Sequence, residues 1–93
     1  MLFAVLCRDK KDSLPIRLAN REAHLDYIRA NWLPRLISAG PLFSPDGQTM
    51  IGGLLIFDVE DRAEIDRYLE DDPYGKAGLF ESVDVWPYKK VFP

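Results

Sequence analysis

Two short runs in this 93-residue chain are apolar at every position: Leu2 to Cys7, and Leu54 to Phe57 within the segment Thr49 to Val59. Each is too short for a helix, and the charged cluster Arg8 to Asp12 ends the first, so both read as strands. Side chains on a strand alternate between the two faces of a sheet, so apolar residues on both parities ask for cover on both faces. A chain of this length has material for about one core, and a second covered face therefore calls for a second subunit.

The remaining pattern supplies the order of elements. From about Pro15 or Ile16 to Ser38, the residues Leu18, Leu25, Ile28, Trp32 and Leu36 recur at helical spacing. Pro34 should kink that helix or split off its last turn, and Gly40-Pro41 should stop it, with Gly40 as a left-handed C-cap. Pro41 to Phe43, the turn signal Ser44-Pro45-Asp46-Gly47 and the run Thr49 to Val59 read as a β-hairpin. Asp61 with Glu64 three residues on is a capping box for a helix through Glu70 whose apolar face is Ile65, Tyr68 and Leu69. Asp72-Pro73 can cap one further turn that Gly75 or Gly78 ends, and Val83 to Trp86 alternates into a last strand. Strand, helix, strand, strand, helix, strand is the ferredoxin-like order, an α+β fold with four mostly antiparallel strands and both helices on one face. The whole chain, residues 1–93, is expected to form a single domain.

Composition narrows the classes of function. The net charge is −3, and the lysines and arginines form no basic stripe, so nucleic acid is not an expected partner. One cysteine, Cys7, leaves no intrachain disulfide, and one histidine with no carboxylates at ligand spacing leaves no expected metal site. No positive residue precedes the first apolar run and Arg8 ends it early, which argues against a signal peptide or membrane span and for a cytoplasmic protein.

The chemistry-bearing candidates are His24, the only histidine, and Asp72 of Asp72-Pro73-Tyr74. Imidazole titrates near neutrality, and a carboxylate on one ring nitrogen would fix the tautomer and leave the other as a base. By residue type alone both also have ordinary explanations: a lone histidine is more often surface or satisfied core, and Asp before Pro is a standard helix start. At 100° per residue His24 lies about 40° from Ile28, at the border of the apolar stripe, where a side chain is partly buried yet reachable.

Arg21-x-x-His24-x-x-Tyr27-Ile28, Ala39-Gly40-Pro41-Leu42, Asp46-Gly47, Gly52 and Asp72-Pro73-Tyr74-x-x-Ala77-Gly78-Leu79 together resemble the YciI-like (YCII-related) family along the whole chain. The resemblance implies a ferredoxin-like dimeric α/β barrel and a His–Asp dyad at a pocket, which falls here on His24 and Asp72. It also implies isomerisation or elimination, dehydrohalogenation included, of small ring compounds. Many sequences of this kind carry Gly-Ser where this chain has Gly52-Gly53, so a hydroxyl is missing there, with Ser82 and Thr49 as conceivable substitutes.

The reading that results is a small enzyme without a cofactor, in which His24 moves a proton of a small cyclic or carbonyl compound and Asp72 orients it. Tyr74, Pro41, Gly52, Gly53 and Arg21 are the expected substrate contacts, with Trp86 as a further wall, and the partners are a second copy of the chain and a small molecule. Arg21 would meet an acidic substrate or else pair with Glu22 or Asp26 in solvent. A non-catalytic small-molecule-binding or interaction domain stands as the alternative, and a cofactor-free or haem-handling monooxygenase as a third reading that rests on fold analogy alone.

Overall fold

The computed structural model describes all residues, Met1–Pro93. Its elements are β1 (Leu2–Asp9), α1 (Leu14–Asn31), β2 (Leu36–Phe43), β3 (Met50–Asp58), α2 (Arg62–Asp71), α3 (Pro73–Lys76) and β4 (Phe80–Tyr88). The strands form one antiparallel sheet in the order β2-β3-β1-β4, the ferredoxin-like topology. β1 lies at its centre, with Val5 opposite Leu55 on one side and Val85 on the other.

One face of the sheet carries Phe3, Val5, Cys7, Leu55 and Phe57, which are buried with Ile28 and Trp32 of the α1 segment and with Ile65 and Tyr68 of α2. The aromatic part of this core meets edge-on and tilted, with Trp32 against Tyr68 and Phe57 at centroid distances of 5.5 and 6.0 Å. The register puts Leu2, Ala4 and Leu6 of β1, Leu54 and Ile56 of β3, and Trp86 and Tyr88 of β4 on the opposite face. No element of the chain covers them, and Leu54, Trp86 and Tyr88 are exposed. The two-sided strands thus leave an apolar sheet face open.

The first helix is shorter than its apolar stripe implies. α1 ends at Asn31, Leu33–Arg35 forms one 3-10 turn, and Leu36–Phe43 is a strand, so the reading of helix through Ser38 is wrong. Pro34 is the physical cause: it has no N–H for the carbonyl four residues back, its ring clashes there, and it disfavours helical geometry at Leu33. Gly40 is accordingly not a C-cap. It pairs with Leu54 inside β2, and the only glycines with positive φ are Gly47 (75°) in the hairpin turn and Gly78 (72°) after α3. Leu18, assigned to the apolar stripe, is 55% exposed, because the neighbouring Arg17 takes the buried position instead.

The local signals downstream are realised. Asp61 accepts from the Glu64 N–H at 3.2 Å, and the Glu64 carboxylate accepts from the backbone N–H of Glu60 at 2.8 Å. The hairpin closes through Gly47 N–H to the Ser44 carbonyl, and Asp72 caps α3 by accepting from Tyr74 N–H at 3.0 Å.

Candidate active site

The helical repeat brings Arg17, Arg21, His24 and Ile28 to one face of α1, at steps of four, three and four residues. Facing them is the junction of α2 and α3. There Asp72 is the C-cap of α2 and the N-cap of α3, a position that fixes both its backbone and its carboxylate. The Asp72 side chain is 1% exposed, and its Oδ1 lies 2.8 Å from Nδ1 of His24 while also accepting the Tyr74 N–H. A buried carboxylate stays in a protein interior when hydrogen bonds replace its water, and these two serve that end. A carboxylate oxygen accepts, so Nδ1 carries the proton and Nε2 of the neutral ring keeps its lone pair. The His24 side chain is 13% exposed, and its Nε2 has no protein partner.

Tyr74 lies flat against His24, with centroids 3.9 Å apart and planes 15° from parallel. The Arg17 guanidinium also sits over the Tyr74 ring, 4.7 Å from its centroid. Arg17 in turn donates twice to Asp9, Nε to Oδ2 at 2.7 Å and Nη2 to Oδ1 at 3.0 Å, in a pair almost entirely removed from solvent. Burial pulls the Arg17 pKa down, but the hydrogen bonds and charge of Asp9, aided by Tyr74, outweigh it and the net direction is upward. Burial raises the Tyr74 hydroxyl, against the positive charges of Arg17 and Arg21.

These groups line one side of a cavity of about 210 Å³ whose other walls include Leu25, Ile28, Pro41, Met50, Leu55 and Phe80. A dry apolar cavity of about 150 Å³ accommodates benzene, so this space suits a molecule with one substituted ring. Cys7 also borders it, yet burial, reinforced by Asp72 and Asp9, pushes its thiol up to about 12, which makes it wall and not nucleophile. No group of three or more metal-ligating side chains occurs.

Of the residues singled out from sequence, His24, Asp72, Tyr74, Pro41, Gly53 and Arg21 meet at this cavity. Gly52 does not: it is buried in the sheet, and a side chain on it would collide with the Cys7 carbonyl oxygen of β1. Trp86 does not either, being 62% exposed on the open face of the sheet, and neither Ser82 nor Thr49 borders the cavity. Arg21 pairs with neither Glu22 nor Asp26; Asp26 engages Arg29 at 3.4 Å instead. Arg17 and Asp9 escaped the sequence reading. The one signal for Arg17 was its place four and seven residues before Arg21 and His24, and nothing local marked Asp9 as its partner.

The chain matches the model of the YCII-related domain over residues 1–89. It is 36% identical to Protein YciI of Escherichia coli O6:H1 over 98 residues, covering 99% of this chain and 100% of the relative. An uncharacterized protein of Haemophilus influenzae is 32% identical with the same coverage. Among solved structures, 5-chloro-2-hydroxyhydroquinone dehydrochlorinase (TftG) from Burkholderia phenoliruptrix AC1100, in complex with 2,5-dihydroxybenzoquinone, superposes with a TM-score of 0.86 at 33% identity, over 96% of this chain and 94% of that one. Rv0793 from Mycobacterium tuberculosis, at 17% identity, 99% and 100% coverage and a TM-score of 0.62, shares the fold. No helix is long and apolar enough to cross a membrane. The family model spans residues 1–89 and a full-length relative is 36% identical, and the chain belongs to the YCII-related domain family.

Proposed function

We propose that this protein is a cofactor-independent enzyme that moves a proton on a small ring or carbonyl compound, with His24 as general acid and base and Asp72 as the residue that orients it. The observation that carries the reading is the 2.8 Å bond from His24 Nδ1 to the buried Asp72 Oδ1, which leaves Nε2 as the free nitrogen of a ring bordering the cavity. A nitrogen so held takes a proton from a ring hydroxyl, or from carbon beside a carbonyl, and returns it to a neighbouring carbon. That sequence is an isomerisation. Where the receiving carbon bears a halogen, loss of a second proton and departure of halide with the bonding pair complete an elimination. Similarity to a protein named as a dehydrochlorinase supports the second outcome.

The functional unit in this reading is a homodimer with the two open sheet faces packed together, supported by the exposed Leu54, Trp86 and Tyr88 on that face.

The test has two parts. A thermal-shift screen of small metabolites identifies what the cavity holds, since a ligand raises the melting temperature in proportion to the logarithm of its concentration over its Kd. Chloride release from 5-chloro-2-hydroxyhydroquinone is then followed for the wild type and for His24→Ala. Turnover that vanishes in the variant supports the reading. An alanine variant as active as the wild type, or ligand binding with no conversion of any bound compound, returns the protein to a binding module.

A further inference from the structure

Two polar groups of the cavity have no use in the dyad. Arg21 is exposed, borders the cavity and is paired with no carboxylate, whereas its neighbour Arg17 is neutralised by two hydrogen bonds to Asp9. Arg21 is therefore the guanidinium at the cavity with no carboxylate partner, while the Asp72 carboxylate is turned toward its own two donors. The second group is the Tyr74 hydroxyl. Tyr74 is 97% buried by residue, yet the one sealed hydroxyl without a partner in the chain belongs to Tyr68. The Tyr74 hydroxyl lies within reach of the Arg17 guanidinium, from which an oxygen can only accept, so its own O–H stays free to donate, and Tyr74 lines the cavity with Arg17 and Arg21.

We infer that Tyr74 is a hydrogen-bond donor and not a plain wall: its hydroxyl and the Arg21 guanidinium form an oxyanion subsite that takes an ionised oxygen of the ligand beside His24. This rests on the cavity being the ligand site proposed above and names the residues that select what enters it. The Asp9–Arg17 pair has its own place in the arrangement. Arg17 presses on the Tyr74 ring from 4.7 Å, His24 stacks on it at 3.9 Å and Asp72 holds its backbone N–H, so the phenol is fixed at three points. A donor held rigidly loses little on meeting an oxyanion, and a guanidinium beside it adds a charge-assisted bond. Both Arg17 and Arg21 also act against the rise that burial imposes on the Tyr74 hydroxyl, which keeps the O–H a better donor than an isolated buried phenol.

The experiment compares two probes that share the nitrobenzene frame and differ by the phenolate oxygen, 4-nitrophenolate at a pH where it is ionised, and nitrobenzene, by equilibrium binding to the wild type, Tyr74→Phe and Arg21→Gln. Tyr74→Phe keeps the ring and removes only the hydroxyl. The expected result is a preference for the phenolate in the wild type that drops by about tenfold or more in each variant, with nitrobenzene binding unchanged. Arg21→Lys, which retains the charge, recovers part of the preference. Phenolate affinity unchanged in Tyr74→Phe, equal affinity for both probes in the wild type, or no phenolate binding at millimolar concentration would overturn the inference. Because the readout is binding without turnover, it is decided separately from the acid–base role of His24.

Discussion

The rings of His24 and Tyr74 lie stacked, 3.9 Å between centroids and 15° from parallel, although the residues are fifty positions apart and on different helices. Asp72 binds both, one ring nitrogen of His24 and the backbone N–H of Tyr74 through the same oxygen. The cap of a one-turn helix and the orientation of the imidazole are therefore one structure, and disturbing either disturbs the other.

The stack should be visible in solution. The His24 ring protons are expected upfield of free histidine in the wild type and in Tyr74→Phe, and close to free histidine in Tyr74→Leu, by proton NMR. Tyr74→Phe should melt in urea within about 1 kcal/mol of the wild type, because the hydroxyl it removes interacts with Arg17, whose guanidinium keeps its two hydrogen bonds to Asp9.

The dyad fixes a tautomer, and nitrogen-15 NMR of the neutral ring should report a protonated Nδ1 and a bare Nε2 in the wild type. Asp72→Asn is expected to disturb that pattern, as a side-chain amide offers a different donor and acceptor set. If His24 is the general base, His24→Ala lowers kcat by about 10² to 10⁴ on the substrate found. A neutral ring with its proton on Nε2 and a bare Nδ1 would contradict the bond from Nδ1 to Asp72.

Two adjacent glycines should respond in opposite ways. A side chain at Gly52 meets the Cys7 carbonyl, a backbone atom that cannot swing aside, whereas one at Gly53 makes an ordinary contact of 3.6 Å with the Gly40 carbonyl. Gly52→Ala should cost about 2 kcal/mol or more, and Gly53→Ala should change stability by less than about 1 kcal/mol in urea unfolding. Gly53→Ser should likewise fold, placing a hydroxyl at the cavity wall.

Stability should fall in alkali through Cys7. Its pKa rises from 9.0 to about 12 on folding, chiefly by burial, so the folded state holds the proton more tightly. The contribution is complete below about pH 9 and is lost as the pH climbs toward 12, because the unfolded chain releases its proton first. Burial raises the hydroxyls of Tyr27, Tyr68 and Tyr74 in the same sense from 10.0. Urea midpoints for Cys7→Ala should decline less steeply between about pH 9 and 10 than those of the wild type, whatever their starting value.

The open sheet face predicts the size in solution. Sedimentation at micromolar concentration should give a species of twice 10.7 kDa, and Trp86→Glu or Leu54→Lys should shift it toward the monomer without unfolding it. A wild type that sediments as a monomer would remove the dimer from the proposed function.

Much of this was written locally. Strand runs, the Asp61–Glu64 box, the Ser44–Gly47 turn and the Asp72–Pro73 cap depend on near neighbours in the chain, and each forms where those neighbours dictate. The two-sided apolarity of β1 and β3 likewise stated in advance that one core would not use it all. The end of α1 was ambiguous because a helical stripe and an unpatterned edge strand share Leu36, and the steric demand of Pro34 decided it. The site itself was half legible: His24 and Asp72 stood out as residue types, and the family resemblance linked them. Arg17 and Asp9 did not stand out, since a charged side chain on a helix reads as solvated unless its partner is known. That partner lies at the end of β1, eight residues back, where the register with β4 shifts. The cavity, the stack and the buried ion pair arise from the packing of α1 against α3 over the sheet; only the tertiary structure could set those distances, because no local rule relates the end of one strand to a ring carried by the third helix.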